Sequence, residues 1–255
     1  MKLAEPYFTA HPLYLSYLAG RSSTLVLSFC GVGLDRNLPV PLPEAADILG
    51  QDGENHVLFI ADASRSWMNA PGLIEALKSA VAGLVDKIKP TRIVAFGNSM
   101  GGSAAMIYAA EAPVDAVLAI VPQYSVHPDE VPNENRWTHF RDHILDWRYR
   151  TVPKLAGKDV QVLMLNGGSD PRDVMHARKF AKKDKLEHYV VPPYAHALAL
   201  VLKNKGFLAP LTRHVINGDM AQARQVIQAA GGIPFDECWQ QRSDARKERR
   251  SHAAV

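Results

Sequence analysis

The residues of this chain that are able to do chemistry are a serine between glycines, an aspartate in a glycine-rich loop and a histidine after the last apolar run. Gly97-Asn98-Ser99-Met100-Gly101 follows Arg92-Ile93-Val94-Ala95-Phe96, an apolar run too short for a helix, and precedes Gly102 to Ala110, rich in small helix formers. A G-x-S-x-G pentad at a strand-to-helix junction demands a turn so tight that side chains at Gly97 or Gly101 would strike the neighbouring strand or helix. The turn lifts the Ser99 hydroxyl beside a helix N-terminus, whose free N–H groups favour a developing oxyanion. An ordinary glycine-rich turn is the alternative, so the weight falls on an acid and a histidine further along the chain. Asp170 lies in Asn166-Gly167-Gly168-Ser169-Asp170-Pro171, at the carboxyl edge of the apolar run Val160 to Leu165, where open α/β sheets place their ligands. Asp170 equally suits the N-cap of a helix opened by Pro171, and Asp173 is the nearest substitute as an acid. His196 follows the last strand-like run, Glu187 to Val191, in a loop; of the ten histidines, His188 sits inside that strand and His176 inside a helix. His196 would accept the proton of the weakly nucleophilic Ser99 and return it to the leaving group, with Asp170 orienting the imidazole.

These residues require a sheet whose strands end on one side. His56 to Asp62 and Ala116 to Val121 read as further strands, Leu73 to Lys89 as an amphipathic helix ending at Pro90, Glu44 to Gly50 as a short helix, and residues 7–21 as an edge strand or two. Strands alternating with helices imply βαβ units, hence an α/β fold with a mainly parallel central sheet flanked by helices. Residues 1–210 read as this domain, with a short cap insertion at about 123–153, and residues 211–255 as an appended C-terminal helix and basic tail. The cap mixes Tyr124, Trp137, Phe140, Trp147 and Tyr149 with charged residues, which suits either a packed lid or a polar pocket with stacking faces. Arg65, Trp67 and Tyr124 are the candidate substrate contacts, although a surface salt bridge is the simpler reading of Arg65. Gly218-Asp219 divides Leu211 to Ala230 in the manner of a tetratricopeptide-type turn, but one such unit cannot bury its own face.

In strand order, nucleophile turn, acid loop and histidine loop the chain resembles the α/β-hydrolase superfamily from about residue 24 to 203. Asp62-Ala63-Ser64-Arg65-Ser66-Trp67 and Gly97-Asn98-Ser99-Met100-Gly101-Gly102 are similar to compact bacterial esterase-like proteins, some encoded with polysaccharide or glycoprotein machinery. The resemblance implies an oxyanion hole built from the backbone N–H of Met100 and of Val32, in the loop Cys30-Gly31-Val32-Gly33, with Gly31 as the fallback. Many members carry histidine where this chain has Cys30. The implied activity is that of a serine carboxylesterase acting on a small or polar, possibly carbohydrate-linked, ester. A thioesterase, amidase or acyltransferase on the same triad, or a non-catalytic accessory protein in polysaccharide or glycoprotein export, is the alternative.

Composition agrees with a globular enzyme: 47% hydrophobic and 22% charged residues are ordinary values. No apolar run approaches the roughly 18 residues of a membrane span, and the N-terminus lacks a signal-peptide pattern. Two cysteines, Cys30 and Cys238, form no disulfide framework, and the expected location is cytoplasmic. Arg242 to Arg250 carries five basic and two acidic residues, which accounts for the whole net charge of +3. A solvated tail explains this, and no nucleic-acid partner is expected. Gly31-Val32-Gly33 opens like a dinucleotide turn but has Arg36 in place of the third glycine. His139 and His143, four residues apart with Asp142 and Asp146 nearby, fit a polar helix face better than a metal site. No cofactor or metal is expected; the partners are a small-molecule ester and, as a minority reading, a protein docking on the C-terminal helix. Oligomeric state is not legible.

Overall fold

Runs such as Leu25-Val26-Leu27 and Val57-Leu58-Phe59-Ile60 are apolar at every position because both faces of their sheet are covered. In the computed structural model, which describes residues 4–33, 35, 37–155, 157–183 and 186–252 (side chains of 182, 183 and 245–252 excepted), these runs belong to one sheet. Its strands are β1 (Glu5–Ala10), β2 (Leu13–Leu18), β3 (Thr24–Phe29), β4 (His56–Asp62), β5 (Arg92–Asn98), β6 (Ala116–Ile120), β7 (Gln161–Gly167), β8 (Glu187–Val191) and β9 (Ile233–Pro234). Their order is β1-β2-β4-β3-β5-β6-β7-β8-β9. The strands from β4 to β8 in that order are parallel, with antiparallel β1–β2 at one edge and β9 at the other. The chain runs from β3 outward to β4 and returns to β5 on the other side of β3. The loops after β3 and β5 therefore meet at a topological switch point, with Phe29 in register with Gly97.

Alternation along each strand sorts the core into two layers. Leu25, Leu27, Leu58, Ala95 and Val117 pack under α2 (Leu73–Ile88), α3 (Met100–Glu111) and Phe180 of α5 (Pro171–Lys183). Val26, Val57, Val94, Leu118 and Leu163 face α1 (Ala46–Gly50), α6 (Leu198–Asn204), α7 (Leu208–Asn217) and α8 (Met220–Ala229). Among the described residues the cap between β6 and β7 holds one helical turn, α4 (Thr138–Arg141).

The segment from 211 to 227 is bound into this scaffold. Leu211, Val215 and Ile216 of α7, with Met220, Ala223 and Ile227 of α8, share a cluster with Val94 and Leu163 of the sheet. Gly218, at φ +83, separates the two helices. Leu208 and Leu211, on either side of the expected boundary at 210/211, lie in the same hydrophobic cluster. α9 (Phe235–His252) follows β9; the side chains of the basic run from 245 onward, like Arg36, lie outside the described residues. Among the described residues no helix is long and apolar enough to cross a membrane.

Candidate active site

Ser99 occupies a backbone conformation that side chains rarely adopt, φ 57° and ψ −123°, between β5 and α3. Such strain persists only where the surroundings over-determine it. Here the Ser99 N–H is tied to the Ile120 carbonyl at 2.8 Å, and both glycines allow otherwise impossible approaches. A Cβ at Gly97 would sit 2.1 Å from the Gly101 carbonyl group, and one at Gly101 2.1 Å from the Phe29 oxygen.

The Ser99 Oγ lies 2.8 Å from His196 Nε2, and His196 Nδ1 lies 2.9 Å from Asp173 Oδ1. An ionised carboxylate only accepts, so Nδ1 carries the imidazole proton and Nε2 is left to accept from the serine. The expectation that Asp170 would meet the imidazole is corrected by this geometry. Asp170 Oδ1 accepts from the backbone N–H of Arg172 at 2.8 Å, the N-cap arrangement, and both its oxygens take the Arg172 guanidinium. Burial works against its ionisation, but the Arg172 hydrogen bonds and Arg136 outweigh that and hold it below the ordinary aspartate value. Asp173, in the first turn of α5 and 2% exposed, faces His196 instead.

Asp173 is backed by a buried ion network that the sequence reading missed. Arg136 from the cap donates to Asp173 Oδ1 at 2.8 Å and, through Nε, to Glu134 at 2.9 and 3.1 Å. Glu134 is wholly buried and also meets His176 Nε2 at 3.1 Å. Desolvation opposes the Glu134 charge, yet His176 and Arg136 overcome it and keep the carboxyl far below its usual range. His176 itself is pushed down by burial. Paired in this way, the charges avoid the large penalty of isolated buried ions. The signal in the sequence was three charges, Glu134, Arg136 and Asp173, none of which shows its burial in its neighbours.

The loop after β3 is fastened from two sides. Gly31 N–H donates to Glu44 Oε1 at 3.2 Å, and Glu44 Oε2 accepts from Asn98, next to Ser99, at 3.3 Å. Gly31 N–H is therefore committed, whereas the N–H groups of Val32 and Met100 donate to no described protein acceptor. Arg65 is 4% exposed and donates to the carbonyls of Val32, Ala63 and Leu38 at 2.9, 3.1 and 2.8 Å. It is a strut for this loop, neither a surface salt bridge nor an anion contact. Asp62 shapes the strut's own turn by accepting from the backbone N–H groups of Ser64 and Ser66. Trp67, 3% exposed, directs its indole N–H to Gln123 Oε1 at 3.0 Å. Tyr124 packs edge-on against Phe180 of α5 and beneath Lys179. All three expected substrate contacts thus hold protein partners. His139 and His143 meet edge to face in the cap, and among the described residues no three metal-ligating side chains gather. Cys30 and Cys238 are both buried and free.

Val32, Trp67, Met100, Val126, Trp137 and Phe140 form a separate apolar cluster. The Trp137 ring lies 5.5 Å from that of His196, and Ser99 is only 6% exposed.

The order of strands, the strained serine after β5 and the histidine after β8 define an α/β-hydrolase fold. No protein-family model and no curated protein matches the chain. Solved structures do. The capsule O-acetyltransferase of Neisseria meningitidis serogroup A aligns at TM-score 0.56 and 11% identity, covering 81% of this chain and 93% of its own. An esterase of Pyrococcus furiosus aligns at TM-score 0.53 and 14% identity, covering 83% and 88%. The acylaminoacyl peptidase of Pyrococcus horikoshii aligns at TM-score 0.58 and 11% identity over 85% of this chain and 42% of its own. At these identities the likeness is one of fold.

Proposed function

We propose that this protein is a serine hydrolase acting on carboxylic esters with a small acyl group, with Ser99 as nucleophile, His196 as general base and Asp173 as the orienting acid. The observation that carries the reading is the unbroken contact from Ser99 Oγ through the imidazole to Asp173, at 2.8 and 2.9 Å, built on a strained turn that has no other evident use. In the acylation step the Oγ proton passes to His196 Nε2 as Oγ bonds the carbonyl carbon, and the carbonyl π pair moves onto oxygen. The N–H groups of Val32 and Met100 would receive that oxygen, each worth about 3 kcal/mol of barrier. Collapse breaks the bond to the leaving alkoxide, which takes the Nε2 proton. Water repeats the sequence on the acyl-enzyme. The near-complete cover over Ser99 supports short acyl groups over long ones.

A second reading has a specific observation in its favour. An O-acyltransferase with a sugar hydroxyl as acceptor would use the same Ser99, His196 and Asp173, and the N. meningitidis capsule O-acetyltransferase shares the fold. The two readings differ in how the acyl-enzyme partitions between water and an added polyol.

The test is labelling by a fluorophosphonate probe in native protein, Ser99→Ala, His196→Ala and Asp173→Asn. Strong labelling of the native protein, none of Ser99→Ala and at least 100-fold slower labelling of the other two is the expected result. A folded native protein that does not label overturns the reading in favour of a non-catalytic accessory role.

A further inference from the structure

Ser99 has a second partner that the acyl-transfer scheme leaves unused. The side chain of Gln123, 1% exposed, places Nε2 2.9 Å from Ser99 Oγ. The amide's orientation follows from its neighbours, because a group that only donates must face the oxygen. The Trp67 indole Nε1 lies 3.0 Å from Gln123 Oε1 and can only donate. The amide oxygen therefore faces Trp67, and the NH2 group faces the serine. At the other end, the Asp173 carboxylate only accepts. Fixed from both ends, the chain runs one way: Trp67 to Gln123, Gln123 to Ser99, Ser99 to His196, His196 to Asp173. Each bond polarises the next in the same sense.

Gln123 is also held in place through its backbone. Its N–H donates to Ser103 Oγ at 2.9 Å, and that hydroxyl donates back to the Gln123 carbonyl at 2.8 Å. Ser103 stands one helical turn beyond the nucleophile on α3. Nε2 lies 3.5 Å from His196 Nε2, on the side of Oγ from which the proton leaves.

Resting on the acyl-transfer reading, we propose that Gln123 is a catalytic residue whose side-chain amide stabilises charge on the serine oxygen itself, and that Trp67 is a positioning residue acting through it. As the Oγ proton moves to His196, the lone pair that forms the Oγ–C bond is exposed, and the amide N–H is already aimed at that oxygen. In deacylation the Oγ–C bond breaks and its electron pair returns to Oγ, which then takes the proton from His196. The same N–H meets the same charge in reverse. Its donor role is separate from that of Val32 and Met100, whose N–H groups serve the carbonyl oxygen.

The rate constant for fluorophosphonate inactivation tests this, measured against pH on full-length native protein, Gln123→Met, Gln123→Glu, Trp67→Phe and Gln123→Met/Trp67→Phe, with thermal melts of each. Methionine keeps the volume and removes the donor, and an approximately 100-fold loss is expected. Trp67→Phe loses about 5- to 10-fold, and the double variant reacts no more slowly than Gln123→Met alone, since both act on one bond. In Gln123→Glu the carboxyl donates to Oγ only while protonated. That variant gains a descending limb as pH rises, opposite to the ascending limb imposed by a histidine base, which altered packing alone would not produce. Gln123→Met within threefold of native, or Gln123→Glu with the native profile, overturns the proposal. Should Gln123→Met fail to fold, the Gln123→Glu profile decides. Native protein that never labels removes the acyl-transfer reading and this inference together; native protein that labels while Gln123→Met matches it removes only the inference.

Discussion

Asp170 and Asp173 lie three residues apart and have separate tasks because a helix begins between them. The backbone N–H of Arg172 and two arginines consume the Asp170 carboxylate, while the first turn of α5 swings Asp173 toward His196. Asp173→Asn is expected to lower kcat/KM on a short acyl ester by about 10³- to 10⁴-fold through loss of the imidazole's orientation. Asp170→Ala is expected to cost less than tenfold in kcat/KM and about 1 kcal/mol of stability, the value of a helix cap. Steady-state kinetics and urea unfolding of the two variants measure the difference, and equal kinetic losses would contradict the assignment. Both aspartates were legible as candidates in the sequence. Choosing between them required the direction of one helix turn, which no local pattern encodes.

The element that matters most is the turn joining β5 to α3, and its glycines can be ranked by what surrounds them. Gly101→Ala drives a methyl to 2.1 Å from the Phe29 carbonyl oxygen, a backbone atom in the middle of the sheet that cannot yield. A loss of about 3 kcal/mol or more is expected. Gly83→Ala is the control: it lies in α2 with nothing within 4 Å of the added carbon. There the substitution is expected to raise stability by about 0.5–1 kcal/mol. Thermal unfolding of both variants checks the sign. The G-x-S-x-G pattern disclosed this element because the turn itself is local, with a Cβ at Gly97 striking the backbone of Gly101 in the same pentad. Arg65 was misjudged for the converse reason: its carbonyl partners at Val32 and Leu38 are brought to it by the parallel pairing of β3 with β4.

Across the whole molecule, the far edge of the sheet holds an acid-sensitive joint. His188 of β8 is buried between Asn166 of β7, 2.9 Å from its Nε2, and the ring of Phe235 in α9, stacked 4.7 Å away. Burial pushes its pKa down to about 3. A base with a depressed folded-state pKa binds fewer protons folded than unfolded, so its contribution is complete above the ordinary histidine value. That contribution is lost as pH falls from about 6.5 toward 3. At pH 4.5 the loss amounts to about 2–3 kcal/mol. His188→Gln is expected to unfold more easily than native at pH 7 but to lose less on acidification, the gap narrowing by about that amount in urea melts at pH 7 and 4.5. An unchanged gap would mean that the ring is hydrated.

Apolar runs with strand and helix periods, together with a glycine pentad, determined the class of fold and marked Ser99 and His196 as candidates for one site. These are local signals, written in steric demands and in alternation along a few residues. The tertiary structure alone decided that Asp173 meets His196, that Glu134 and Arg136 stand behind it, that Gln123 reaches Ser99, and that α7 and α8 close one face of the sheet. The reason is physical: whether a charge or amide is buried, and what it meets there, depends on which distant strands and helices converge on it, and sequence spacing carries no measure of that distance.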